Sequence, residues 1–137
     1  MLDGVILFWM KILISALVLF LSLTVQANSF VFDCSVEDFF VSDKTAPKKF
    51  IEGNLSKRFV IAVEDESIIV TSISDVYASS LTRYKILSWD FKTIKAINSD
   101  SAFSSHIIVL DERNEDATIS FQGSDYINVW FLDCQKQ

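Results

Sequence analysis

The chain has 137 residues, half of them hydrophobic, and 18 acidic against 12 basic side chains give a net charge of −6. That size holds one ordinary domain once a targeting segment is set aside. A nucleic-acid backbone or an anionic membrane surface demands a basic face, and the basic residues here are scattered, with only Lys48-Lys49 and Lys57-Arg58 adjacent; neither partner is expected, whereas a basic protein stays admissible.

Residues 1–27 read as a signal peptide. Met10-Lys11 precedes an apolar run at 12–25, and Val25-Gln26-Ala27 suits cleavage after Ala27. The preceding nine residues carry Asp3 and no cation, so Met10 is the expected start. The alternative is an uncleaved anchor, because residues 5–25 are interrupted only by Lys11 and approach the ~20 residues that span a bilayer. The expected location is therefore the periplasm or the exterior, with a membrane-anchored form as the alternative and no membrane contact after cleavage. The domain is then 28–137, and its net charge remains −6 because Asp3 and Lys11 cancel.

The domain opens on Phe30, Phe32, Cys34 and Val36 alternating with Val31, Asp33 and Ser35, the period-two pattern of a half-buried strand. Phe39-Phe40-Val41 either extends it past a bulge or starts a second piece. Residues 42–49 are polar around the only proline, Pro47, and Gly53-Asn54 is a further turn signal, which makes this the longest expected loop. Phe59, Ile61 and Val63 alternate, Asp65-Glu66 turns the chain, and residues 68–73 are a β-branched run, together a hairpin. Residues 81–88 favour a strand with Thr82, Tyr84 and Ile86 on one face. Tyr77, Leu81, Tyr84 and Leu87 also fall at helical spacing behind Ser74-Asp75, so a helix competes.

Residues 89–97 are the expected partner strand, with a parity switch between Phe91 and Ile94 that suggests a bulge or corner. Residues 98–104 are loop-like. Residues 106–111, a turn at Glu112-Arg113-Asn114-Glu115, and the alternation of Ala117, Ile119 and Phe121 form a second hairpin, and residues 126–133 form the last strand.

The two cysteines, Cys34 and Cys134, each close an apolar run on Asp-Cys and lie 100 residues apart, too far for a CxxC or zinc-knuckle pattern. In an exported domain they read as a disulfide. Closing a loop of that length is worth roughly 4.7 kcal/mol on the chain-entropy model, and it makes the first and last strands neighbours. About eight short strands joined by short turns favour an antiparallel meander, and the bond between its ends favours a small up-and-down β-barrel, all-β and closed by one disulfide, over a two-layer β-sandwich.

Chemistry-bearing patterns are sparse. The single histidine, His106, has no acidic residue within three positions, and the serines lack nucleophile-elbow glycines; no enzyme is expected, and a hydrolase would require a carboxylate brought beside His106 in space. The acidic pairs lie mostly at turns and lack a calcium-loop spacing, so neither metal nor cofactor is expected. Asn54-Leu55-Ser56 is a glycosylation sequon.

The stretch Ala78-Ser79-Ser80-Leu81-Thr82-Arg83-Tyr84, followed by Trp89, resembles the Ser-rich loop with a following Arg-Tyr and tryptophan of small periplasmic barrel inhibitors of c-type lysozyme. It covers some dozen residues, lacks that family's loop glycine and carries one extra residue before Arg-Tyr. The resemblance implies an eight-stranded barrel that inserts Ser79 and Ser80 into a partner's cleft. The expected function is an exported binding module that recognises a basic protein through loops at one barrel end, using Ser79, Ser80 and Arg83 with the acidic turns at Asp65, Glu66, Glu115 and Asp116. The alternative is a carrier of a small apolar ligand inside the barrel, near Trp89 and Trp130.

Overall fold

A strand with one buried face alternates apolar and polar side chains with period two, and eight such strands form in the residues that the computed structural model describes, 29–101 and 103–137. They are β1 (Phe30–Val41), β2 (Arg58–Val63), β3 (Ser67–Ile73), β4 (Ser80–Asp90), β5 (Thr93–Ser101), β6 (Ser104–Asp111), β7 (Asp116–Gln122) and β8 (Ile127–Lys136), with one helix, α1 (Lys48–Leu55), between β1 and β2. The expected signal peptide at 1–27, with its start at Met10 and its cut after Ala27, lies outside the described residues.

Each strand pairs antiparallel with the next and β8 returns to pair with β1, so the sheet is a closed barrel in chain order rather than a sandwich. Closure leaves no strand with an unpaired edge. Cys34 and Cys134 are directly opposite in the β1–β8 ladder and form the disulfide, both buried. The interior is a packed core: Phe32, Ile61, Ile68, Ile94, Ile108, Leu110 and Leu132, from six different strands, are wholly or almost wholly buried.

Several local expectations change. Residues 48–55, read as loop and turn, are helical: Pro47 precedes the first turn and its carbonyl accepts from the amides of Phe50 and Ile51. Phe50 and Ile51 pack on the core, and Gly53 sits in the helix because the Tyr77 ring leaves no room for a side chain, a Cβ there falling 2.9 Å from Tyr77 Cε2. The Asn54 sequon is buried; its amide donates to the Phe50 carbonyl and its oxygen accepts from Trp130 Nε1, so it offers no acceptor for a glycan in the folded domain.

Residues 89–97 are not one strand. Trp89 belongs to the end of β4, and the chain turns at Phe91-Lys92; the register shift lies between Ile86 and Ser88 instead. Residues 81–88 are strand, not helix, because Ser80 to Lys85 form a continuous ladder with Ser67 to Ser72 of β3. The β1 run does extend through Phe39-Phe40-Val41, past a shift between Val36 and Asp38. Paired strand reaches Ser101 and resumes at Ser104 where a polar loop is expected.

Reduction or replacement of the disulfide tests how far closure relies on it. Cys34→Ser with Cys134→Ser is expected to lower the urea-unfolding free energy by ~2–5 kcal/mol; an unchanged midpoint would assign closure to the β1–β8 ladder alone.

Candidate functional site

In an up-and-down barrel successive turns alternate between the two ends. The β2–β3, β4–β5 and β6–β7 turns therefore share one end with the start of β1, while the α1 connection and the β3–β4, β5–β6 and β7–β8 turns share the other. This separates residues expected to act together. Asp65, Glu66, Glu115 and Asp116 do meet at one end, but Ser79 and Ser80 lie at the opposite end, where Ser80 Oγ is 2.9 Å from Ser72 Oγ. A single loop cluster combining them is thus corrected to two distinct surfaces. Arg83 goes with the acidic group: it donates to Glu64 at 3.0 Å and to Ser67 at 2.8 Å, and with Asp65 and Glu66 it lines an open groove of ≈ 970 Å³. The neighbouring Tyr84 points inward and is buried.

The first end is strongly acidic. Its three turns, residues 64–66, 90–92 and 111–116, hold eight carboxylates and two cations, Lys92 and Arg113, and so a net charge of −6. The rest of the chain holds ten of each sign, so the whole net charge resides on these turns. They are fixed to one another and to the barrel. The Glu112 amide donates to the Lys92 carbonyl at 3.0 Å, the Cys134 amide to the Glu115 carbonyl at 2.7 Å, and the Ile86 amide to the Glu66 carbonyl at 3.1 Å.

Two carboxyls are held below the usual carboxylate range. Glu64 accepts from the Ser67 hydroxyl and from Arg83; Asp111 accepts from the Arg113 guanidinium and from the Arg113 amide. These bonds favour the charged form of each.

Aromatic rings close this end. Trp89 stands edge-on to Phe30 at 5.8 Å, Phe30 edge-on to Phe32 at 5.7 Å, and Lys136 Nζ lies 4.4 Å from the Phe30 ring. Trp89 Nε1 donates to Glu112 at 3.0 Å, which ties the aromatic plug to the acidic rim. Beyond the plug Phe91 is 91 % exposed at the tip of the β4–β5 turn, where it and Lys92 have φ of 48° and 71°. That left-handed pair is the backbone of a type I′ hairpin, normally made by Asn-Gly. A phenylalanine held there at a steric cost of ~1 kcal/mol or more, and given to solvent, has no packing role to explain it.

The opposite end has its own plug. Trp130 packs on Phe39 and Phe59, Phe50 links Phe39 to Tyr77, and Lys57 Nζ lies 5.1 Å from both the Tyr77 and Trp130 rings. Burial lowers the Lys57 pKa. Trp89 and Trp130, expected to line one ligand space, instead belong to opposite plugs, with the packed core between them. His106 is held between aromatic rings, Phe121 at 4.5 Å and Tyr84 at 6.3 Å. Among the described residues no three His, Cys, Asp or Glu side chains cluster as a metal site, and no helix is long and apolar enough to cross a membrane.

No family model matches the chain, and no curated protein or solved structure is significantly similar to it.

The turn geometry makes one stability expectation. Phe91→Asn with Lys92→Gly supplies the residues that a type I′ turn favours and is expected to raise stability by ~1 kcal/mol, read as a higher unfolding midpoint in urea.

Proposed function

We propose that this protein is an exported, non-catalytic binding module whose acidic end recognises a basic protein. The observation that supports this reading is the confinement of the entire net charge to three turns of one end, around a solvent-exposed Phe91. Ordinary solubility needs only dispersed charge, whereas like charges gathered on one end repel one another and cost stability. A field of that kind steers a positive partner onto the surface, and a desolvated aromatic supplies what steering does not, a slow dissociation. The hydrogen bonds that fix the turns keep them in the binding arrangement, which lowers the ordering cost of association. Export to the periplasm or the exterior fits the disulfide, whose chemistry belongs to oxidising compartments.

The test is immobilisation of the domain at low ionic strength, capture from an envelope extract of its host, and measurement of the captured protein's rates against variants. Asp65→Lys with Glu66→Lys, or Glu115→Lys with Asp116→Lys, is expected to slow association about tenfold or more at low salt and much less in molar salt. Phe91→Ala is expected to speed dissociation, with a loss of ~2 kcal/mol. A partner that is acidic, or whose binding ignores both the charge reversals and Phe91, would sink the proposal.

The pH dependence follows from the carboxylates. Protonation removes negative charge, so binding is expected to hold from neutral pH downward and to fail as pH drops below about 4, where ordinary carboxyls protonate. Glu64 and Asp111, with lowered pKa values, keep their charge to lower pH than an unbonded glutamate and aspartate would. An affinity that rose in this range would assign recognition to other groups.

A further inference from the structure

A strand with the core on one face and water on the other alternates apolar and polar side chains, and β8 departs from that rule. Its inward positions, Asn128 beneath a recess at the α1 mouth, Trp130 and Leu132, are buried. Its outward positions Ile127, Val129 and Phe131 are apolar as well, and Ile127 and Phe131 stand 40 % and 41 % exposed. Apolar side chains on both faces are the mark of a strand covered on both faces.

The excess continues in register onto the neighbouring strands. Phe40 of β1 is opposite Val129, Val129 is opposite Ser120 of β7, and Ser120 is opposite Ile107 of β6. In the next row toward the acidic end Phe131 is opposite Thr118, and Thr118 opposite Val109. Phe40 and Ile107 are both exposed. Neither row holds a charge between β8 and β6, whereas the wall of β2 to β4 presents Arg58 and Arg83, each in an ion pair. A contiguous uncharged, apolar patch on one side of a soluble barrel is a contact surface.

Charge at its two borders selects the occupant. One row beyond Phe131, toward the acidic end, Asp111, Asp116 and Asp133 stand side by side across β6, β7 and β8. At the other border the connection that carries α1 leaves the wall at Ser42, which is bonded to Ile127 through both its amide and its hydroxyl. Residues 42–57 hold four lysines against Asp43 and Glu52, and Lys48 is almost wholly exposed. An anionic lipid surface is repelled by the aspartate row. A second copy of this chain turned end for end satisfies both borders, because the apolar rows meet each other while each aspartate row comes alongside the other copy's α1 connection. A two-fold axis perpendicular to the barrel axis produces that arrangement, with the same patch used on both copies. An axis parallel to the barrel would set the two acidic ends together, where they repel.

We propose that the wall of β6, β7, β8 and β1 is the interface of an antiparallel, two-fold symmetric homodimer. The β4–β5 turn with Phe91 lies across the barrel from β8 and stays free, so the inference stands apart from the protein-recognition reading.

The test is sedimentation equilibrium of the full chain, purified oxidised, from micromolar to millimolar concentration. The expected result is a reversible monomer–dimer equilibrium. Thr118→Lys with Ser120→Lys, which puts charge into the patch, is expected to raise the dimer dissociation constant about tenfold or more. Phe40→Ser with Phe131→Ser removes outward rings that take no part in the core and is expected to do the same; it carries the test if the lysine pair does not fold. Leu81→Ser with Leu87→Ser, exposed apolar residues of the far wall, is expected to leave the equilibrium unchanged. Orientation is read by carbodiimide cross-linking of an equal mixture of ¹⁴N and ¹⁵N protein. Mixed-isotope links are expected between Lys44, Lys48 or Lys49 and the acids of residues 111–116, groups that lie at opposite ends of a single chain. A monomer at millimolar concentration, a dimer indifferent to both wall substitutions or sensitive to the Leu81 and Leu87 pair, or the absence of those mixed links would each overturn the inference.

Discussion

Everything else in this molecule depends on the pairing of its first strand with its last. β1 is hydrogen-bonded to β2 on one edge and to β8 on the other, and only that second ladder converts a meander into a tube. An open sheet of this length would leave two edges offering unpaired amides and carbonyls and one apolar face without cover. Closure removes the edges and turns the apolar face onto itself. Cys34 and Cys134, opposite one another in that ladder, lock the least local strand pairing in the chain, the one that closes the longest loop.

A closed barrel has two ends instead of two edges, and the ends are where its side chains meet solvent. Each is stoppered by aromatics, but in different ways. Phe30 and Trp89 sit directly at one mouth, whereas at the other α1 folds over Trp130 and contributes Phe50 and Asn54 to the stopper. The acidic mouth carries the excess charge and a projecting phenylalanine, and the α1 mouth a recessed pocket with a polar floor. A surface that projects and one that recedes thus stand at opposite ends of one scaffold. The packed core between them separates the two.

Legibility in the sequence follows the physics of each element. The strands were readable because burial on one face imposes a period of two, and the disulfide because two cysteines, in a chain read as exported, have one available pairing. α1 was obscured by Gly53-Asn54, a turn signal on local grounds, since the Tyr77 ring that demands glycine comes from a segment distant in sequence. The β4–β5 turn was obscured for the converse reason, because Phe91-Lys92 lacks the residues that such a turn prefers and reads as strand. The two tryptophans looked like partners because both are large and apolar; composition has no means of assigning them to opposite mouths.

Sequence by itself determined the strand class, the antiparallel order, the barrel closure and the clustering of acids at turns, because each arises from local periodicity, short connections or a single covalent constraint. It even contained the polarity of charge in latent form, since every second turn of a meander shares an end. Which residues stand together was decided only by the tertiary structure. The grouping of Asp65 and Glu66 with Glu115 and Asp116 and away from Ser79 and Ser80, the helix over one mouth, and Asn128 unpaired beneath a pocket are all relations between segments far apart in the chain. Such relations are fixed by the return of β8 to β1, and no local preference encodes them.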